Sequence, residues 1–230
     1  MSLITRAEAT QIMRSRGWLP LLPEAAQLDI LQRSTIQHFV PGEAIFRLGD
    51  PAGGVYGLVT GTVSVSLAPS GASPRLILAG IPGHWTGEAC FLTRQPRRGE
   101  LRAVTDITML HLPLSAMDQI AKQDPAMTRH VALMLMMNVE FLFQVIHDLQ
   151  KPEADRRIAS VLHRKTWTGE DPIPLTQSDI GVMANASRKQ VNAAIKRFSD
   201  VGWLSNTYRS ITIIDPEALR NFAERDVDAD

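Results

Sequence analysis

Arg188, Lys189, Asn192 and Lys196 recur at the spacing of one helical face, with Ser187 just before them and Thr176, Gln177 and Gln190 close by. These side chains reach base edges and phosphates: Arg or Lys pairs with guanine, Asn or Gln with adenine, and Ser at a helix start meets a phosphate. Such a set acts only if rigid elements present it together. Thr176 with Asp179, and Ser187 with Gln190, each fit the capping box that satisfies orphan amides at a helix start, so two helices begin close together. Ile180 and Met183 give the first an inward face, while Val191, Ala194, Ile195 and Phe198 give the second a buried stripe at i, i+3, i+4, i+7. Gly202 is placed to end that helix. Trp203-Leu204 and Ser210 to Ile214 then read as two short strands around the tip Asn206-Thr207-Tyr208-Arg209, a wing. A charged outer face that serves only solubility is the plainer alternative. Two caps, a tight turn and a wing together outweigh it and imply a reader of double-stranded DNA.

The whole chain constrains what surrounds this reader. Its 230 residues suffice for two modest domains, and 44% hydrophobic with 21% charged residues is ordinary soluble composition. The formal charge is zero, from 24 basic and 24 acidic residues, so any attraction for phosphate must be local. Arg156, Arg157, Arg164, Lys165, Arg188, Lys189, Lys196 and Arg197 outnumber Glu170, Asp171 and Asp179, whereas the tail after Asp215 is acidic. The amino terminus has Arg6, Arg14 and Arg16 but no apolar core before a cleavage site, so a cytoplasmic protein that enters no membrane is expected.

Cys90 is the sole cysteine, which excludes an intramolecular disulfide and any four-thiolate zinc or iron-sulfur site within one chain. A small core residue is expected there, with a redox-sensing thiol as the alternative. His84, His111, His130 and His147 are scattered, so neither haem nor a metal site is expected. A cupin-like metal enzyme built on His84, Glu88 and His111 would need more histidines on neighbouring strands, and no enzyme is expected. Met134, Met136 and Met137 read as packing residues.

Along the chain, residues up to about Phe39 read as helical. From Pro41, β-type runs alternate with glycine: 44–47, 55–59, 63–67, 76–79, 101–105 and 108–112. Short strands at close turn spacing imply an antiparallel sandwich or roll. Met127 to Leu149 is the longest helical stretch. Met127, Val131, Met134, Asn138, Phe141 and Val145 alternate by four and three, the seam of a coiled coil in which Asn138 would set register. Leu133, Leu135, Met136, Met137 and Leu142 form a second apolar set, expected to pack on the helix's own sheet. A basic helix at 156–165 and a loop at 169–174 precede the reader. The expected architecture is α+β: a β-roll sensor over 1–124, a connecting and dimerisation helix over 125–150, and a winged helix-turn-helix over 151–230.

This order resembles the cAMP receptor protein and fumarate-nitrate reduction regulator (CRP/FNR) family of bacterial transcription factors over nearly the full chain. The likeness is carried by Thr176-Gln177, Ile180, Ala186-Ser187-Arg188, Val191, Ala194 to Arg197, Gly202-Trp203-Leu204 and Ile211 to Asp215. In the roll it is carried by Pro41-Gly42-Glu43, Phe46, Gly49-Asp50, Gly61-Thr62-Val63 and Gly83 through Gly87-Glu88. The resemblance implies a homodimer on a two-fold related site, with recognition helices in major grooves about one turn apart. It also implies contact with RNA polymerase, to activate or to block it.

Ser187 and Arg188 stand where the family contacts phosphate and base, whereas Lys189 replaces a frequent glutamate and Ala193 an arginine of cAMP-responsive members. The operator is therefore expected to differ from theirs. The family's cyclic-nucleotide signature keeps Gly87, Glu88 and Arg98, where Glu88 would accept from a ribose hydroxyl and Arg98 pair with a phosphate. Gly99 and Glu100 stand in place of the hydroxyl donor and small residue, and Leu142 and Phe143 in place of hydroxyl side chains against adenine. A cyclic nucleotide is thus the less favoured effector, beside a degenerate pocket that takes another small molecule or nothing.

Overall fold

Thr5 and Glu8 form a capping box that starts α1 (Arg6–Ser15), and Pro23 precedes α2 (Glu24–Arg33). The computed structural model describes residues 4–68, 71–164, 172–207 and 210–225. Strands β1 (Thr35–Phe39), β2 (Ala44–Phe46), β3 (Val55–Thr60), β4 (Val63–Leu67), β5 (Arg75–Gly80) and β6 (Trp85–Thr86) follow. Then come α3 (Glu88–Thr93), β7 (Gly99–Ala103), β8 (Ile107–Leu112), α4 (Leu114–Gln123) and α5 (Ala126–Leu149). The remainder is α6 (Ala154–His163), α7 (Gln177–Met183), α8 (Arg188–Asp200), β9 (Leu204–Thr207), β10 (Ser210–Ile213) and α9 (Pro216–Glu224).

The first compact unit, Met1–Phe141, is built on two four-stranded antiparallel sheets, β1-β8-β3-β6 and β2-β7-β4-β5. Because side chains alternate along a strand, β8 and β3 each feed two cores. Ile107, Met109 and Leu58 join Val63, Val65, Leu78, Leu101 and Ala103 inside the roll. Leu110, Leu112, Val55 and Val59 instead join a helical layer holding Met13, Trp18, Ile30, Met117, Met127, Val131 and Met134. Trp18 donates its indole N–H to the His130 carbonyl at 2.7 Å and meets Trp85 edge-on at 5.4 Å, fixing the amino-terminal helices to α5.

The second unit, Leu142–Asp230, packs Ile158 and Leu162 of α6, Ile180 of α7, Val191, Ile195 and Phe198 of α8, and Leu219 of α9 into one core. Phe198 lies 5.6 Å from Trp203 and 5.5 Å from Phe222, so α8, the approach to β9 and α9 share an aromatic junction. β9 and β10 pair as the expected hairpin. Its tip residues Tyr208 and Arg209 lie outside the described residues, as do Lys165, Glu170 and Asp171.

Several elements differ from the sequence reading. β1 lies in the stretch up to Phe39 that reads as helical, yet it is an edge strand paired only with β8, where its polar residues Thr35, Gln37 and His38 are tolerated. α3, β6, α4 and α9 are additions of the structure, and the first two are too short for a periodic signal. The division into units falls between Phe141 and Leu142, inside α5. Its first two-thirds therefore belong to one unit and its last third to the other.

Candidate nucleic-acid interface and roll pocket

Both capping boxes close. The Asp179 amide donates to Thr176 Oγ1 at 3.1 Å and the Thr176 amide to the Asp179 carboxylate at 2.9 Å. Ser187 and Gln190 repeat the exchange at 3.3 and 2.9 Å. A cap of this kind is worth about 1 kcal/mol, which starts α8 at a defined residue. Asn185, with φ +46°, turns the chain between α7 and α8. Gly181 is needed at that turn, since a Cβ there would lie 2.9 Å from the Ala186 carbonyl oxygen.

The stripe Val191, Ala194, Ile195 and Phe198 is buried as expected, which turns Arg188, Lys189, Asn192 and Ala193 outward on the first two turns of α8. Arg188, Lys189 and Asn192 have no hydrogen bond or ion pair among the described residues. Thr176, Ser187 and Gln190 are also exposed but spend their side chains on capping, and Gln177 is half-buried. Lys196 is held by Asp200 at 2.6 Å. Exposed basic and amide groups thus gather at the amino end of α8, beside the capping groups that start it.

The basic stretch is less free than its composition implies. Arg156 donates twice to the Ala223 carbonyl at 3.2 Å, closing the end of α9. Arg157 donates to four backbone carbonyls, Arg164 binds buried Asp148 at 2.9 Å, and Arg197 pairs with Asp155. Burial opposes ionisation of Asp148, yet the Lys151 and Arg164 charges outweigh it and hold the carboxyl below the usual range.

In the roll, Glu88 opens α3 and is only 7% exposed. Its Oε1 accepts from the Asn138 amide at 3.0 Å, and its Oε2 has no partner among the described residues. The arginine facing the same strand-to-helix turn is Arg97, 5% exposed, and Arg98 stands exposed beside it. Arg97 exchanges backbone hydrogen bonds with the 49–50 turn at 2.9 Å, and neighbours in extended chain point to opposite sides. Arg97, and not the expected Arg98, therefore faces the Glu88 turn. Sequence offered a signal, because counting back from the buried Ala103 and Leu101 gives Arg97 their side of the chain.

Arg97 is itself engaged by backbone and aromatic rings. It donates to the Gly54 carbonyl at 2.7 Å and the Gly87 carbonyl at 3.4 Å, and lies over the Phe46 ring at 4.3 Å and the Tyr56 ring at 5.7 Å. Gly87, at φ +103°, lets this approach happen: a Cβ there would lie 2.6 Å from an Arg97 nitrogen. Tyr56 stacks on His111 at 4.4 Å. Burial, helped by the Arg97 charge, pushes the His111 pKa down. Gly99 is buried for a strand reason, since a Cβ would stand 2.6 Å from the Ser66 carbonyl oxygen. Glu100 pairs with Arg102 at 2.9 Å.

Residues of the expected dimer seam are engaged within the chain itself. Val131 and Met134 are core residues of the first unit, Phe141 packs toward the roll interior, and Val145 is buried. Asn138 is spent on Glu88 and on the Trp85 carbonyl at 3.3 Å. Large apolar side chains left exposed on α5 are Leu133, Met136, Phe143, Ile146 and Leu149. Leu133, Met136, Glu140 and Phe143 also alternate by three and four, and periodicity alone does not say which of two stripes faces the helix's own roll.

Cys90 is buried. Burial pushes the His84 pKa down to about 4. Among the described residues no three His, Cys, Asp or Glu side chains come together in a chelating group.

A double-sheet roll, a long helix with an apolar outer stripe and a winged helix-turn-helix with a basic outer face are the parts of a DNA-binding regulator of transcription. The family model described as a cyclic nucleotide-binding domain matches residues 36–124, and the Crp-like helix-turn-helix domain matches 156–222. Together they cover more than half of the chain, which belongs to the CRP/FNR family of transcription regulators. A relative is the CRP-like cAMP-activated global transcriptional regulator of Mycobacterium tuberculosis, 25% identical over 79% of this chain and 84% of that protein. Another is the anaerobic regulatory protein of Haemophilus influenzae, 21% identical over 85% of this chain and 79% of that one. FixK2 from Bradyrhizobium japonicum has a similar fold: TM-score 0.70, 21% identity, covering 84% of this chain and 98% of that one. So has a CRP/FNR regulator from Thermus thermophilus: TM-score 0.66, 20% identity, covering 83% and 99%. These relatives are regulators, so the cupin-like enzyme reading is set aside.

Proposed function

We propose that this regulator reads its operator as a cytoplasmic homodimer through the amino-terminal turns of α8. Arg188, Lys189 and Asn192 reach base edges and phosphates. Thr176, Gln177, Ser187, Gln190 and Lys196 set the helix on the backbone. The observation carrying this reading is that the three readers are exposed and uncommitted in a segment where Arg156, Arg157, Arg164 and Arg197 all have internal partners. The dimer forms along α5 through Leu133, Met136, Phe143 and Ile146, and one face of the assembly meets RNA polymerase. α5 is long and apolar enough by composition to cross a bilayer, with mean hydropathy 1.4. Its inner stripe is core, however, and its outer stripe suits a second copy.

For the roll, the same reading holds that no cyclic nucleotide is needed to complete the fold. Arg97 already has two carbonyl acceptors and two aromatic faces, and a phosphate would have to compete with them. A second reading, in which a ribose-bearing ligand binds, is favoured by one atom, the unpartnered Glu88 Oε2. The test is selection of a duplex from a random library by the purified protein, followed by titration over a salt series. A palindromic site bound with affinity that falls steeply with salt is expected. No preference over random DNA overturns the reading of α8.

A further inference from the structure

Arg157 joins two pieces of backbone, the turn before α8 and the link after α5. Its Nε donates to the Ala184 carbonyl at 2.9 Å and one Nη to the Asn185 carbonyl at 3.2 Å, both in the turn before the recognition helix. Its other Nη donates to the carbonyls of Lys151 at 2.6 Å and Pro152 at 2.8 Å, in the link that follows α5. Every acceptor is main chain, so Arg157 registers where the backbone runs, whatever side chains flank it. A planar guanidinium carries five donors in a fixed fork, and an ammonium has three on one atom, so lysine does not reproduce this span.

The link end of this clamp is anchored separately. Lys151 Nζ donates to Asp148 at 2.9 Å and to Ser160 Oγ at 2.7 Å, and Arg164 holds the other Asp148 oxygen at 2.9 Å. All of these charged side chains are more than nine-tenths buried. Removing one partner from such a cluster is costly, so the link is held at both its side chain and its carbonyl. At the other end, Ser187 caps α8 two residues after Asn185. The start of the recognition helix therefore cannot shift against the end of α5 without breaking bonds to Arg157.

We infer that Arg157 is a positioning residue for DNA reading: it sets the start of α8 against the link after α5, and its charge is not spent on phosphate. The inference rests on α8 being the reading helix. Composition alone places Arg157 among the phosphate-attracting residues, and the two roles separate cleanly. Each phosphate contact contributes about 0.9 to the slope of log affinity against log salt.

The experiment compares full-length protein with its Arg157→Lys and Arg157→Gln variants on a duplex selected by the unmodified protein and on random duplex, from about 50 to 200 mM salt. Both variants are expected to lose tenfold or more in the ratio of specific to random binding, with the slope unchanged and no rescue by lysine. Hydrogen exchange should quicken at residues 184–190 and not in α9, so loss of reading is seen apart from unfolding even if the glutamine variant folds poorly. Full affinity in Arg157→Lys, or a lower slope with an unchanged ratio in Arg157→Gln, overturns the inference while leaving α8 as the reader. Failure of the unmodified protein to select any duplex overturns the reading of α8 and this inference with it.

Discussion

Asn138 donates its side-chain amide to Glu88 Oε1 at 3.0 Å. A polar residue spaced to set register between two helices instead satisfies a buried carboxylate in its own protomer. Asn138→Ala should therefore act on folding: leaving a buried carboxylate oxygen without its donor costs about 1–3 kcal/mol. Urea melts should show that loss, and sedimentation should show an unchanged association state. Dissociation without destabilisation would return Asn138 to the seam.

The opposite pattern is expected on the outer stripe. Phe143 is 61% exposed in the single chain, so Phe143→Asp removes little from the protomer's core, yet it sets a charge in the surface a second copy would bury. Dimerisation should weaken by a hundredfold or more, with unfolding of the protomer nearly unaltered. Val131→Ala, in the core at 0% exposure, should instead cost about 2 kcal/mol of folding and leave association alone. Equal dimer affinity in Phe143→Asp would exclude this face.

What was legible in the sequence was mainly local. Thr176 with Asp179 and Ser187 with Gln190 are recognisable because a capping box needs residues only three apart, and Val191 to Phe198 because one helix turn repeats along its own axis. The missing information concerned what lies opposite. Val131 and Leu133 stand on two stripes of one helix with equally good spacing, and only the sheet packed against Val131 tells them apart. Arg97 and Arg98 are chemically equal neighbours separated by the side of the chain each takes. Arg156 and Arg157 read as surface cations because their acceptors, carbonyls 27 to 67 residues away or in the preceding link, carry no sequence mark.

The arginine register has a direct consequence. Arg97→Ala leaves the Gly54 and Gly87 carbonyls short of donors and removes a cation from two rings, a loss of about 1–3 kcal/mol. Arg98→Ala, at an exposed position, should stay within about 0.5 kcal/mol. Thermal melts with and without cAMP or cGMP complete the comparison. A ligand at a hundred times its Kd adds about 2.7 kcal/mol, so a flat response to millimolar nucleotide is the expected result. A shift abolished by Arg97→Ala would establish the ribose-bearing alternative.

Acid should loosen the roll before carboxylates titrate. His84 has its pKa pushed down to about 4 by burial, so between its ordinary 6.5 and about 4 the unfolded chain takes up a proton that the folded one refuses. Stability is therefore complete above pH 6.5 and declines as pH falls toward 4. His111 is depressed in the same direction by burial and by Arg97, and it adds to the decline. His84→Gln should flatten the profile in that window when unfolding is followed at several pH values. An unchanged slope would mean that His84 takes up its proton equally in the folded and the unfolded chain.

The reading face predicts how individual substitutions divide between affinity and specificity. Ser187 accepts from the Gln190 amide at 3.3 Å, so Ser187→Ala removes a cap worth about 1 kcal/mol and weakens every duplex, because the start of α8 frays whatever the sequence. Arg188 has no such internal task. Arg188→Ala should cost about 1–3 kcal/mol on the selected operator and relax preference at one base pair per half-site, if its guanidinium reads guanine. Lys189→Ala should lower the salt slope if its ammonium meets phosphate, with base preference kept. Ala193 offers only a methyl to the groove, so Ala193→Arg should add a new preference beside that of Arg188 rather than restore a lost one. Selection repeated with each variant reads these outcomes directly. Identical selected sequences for Arg188→Ala and the unmodified protein would remove Arg188 from the base-reading set and leave it a backbone contact.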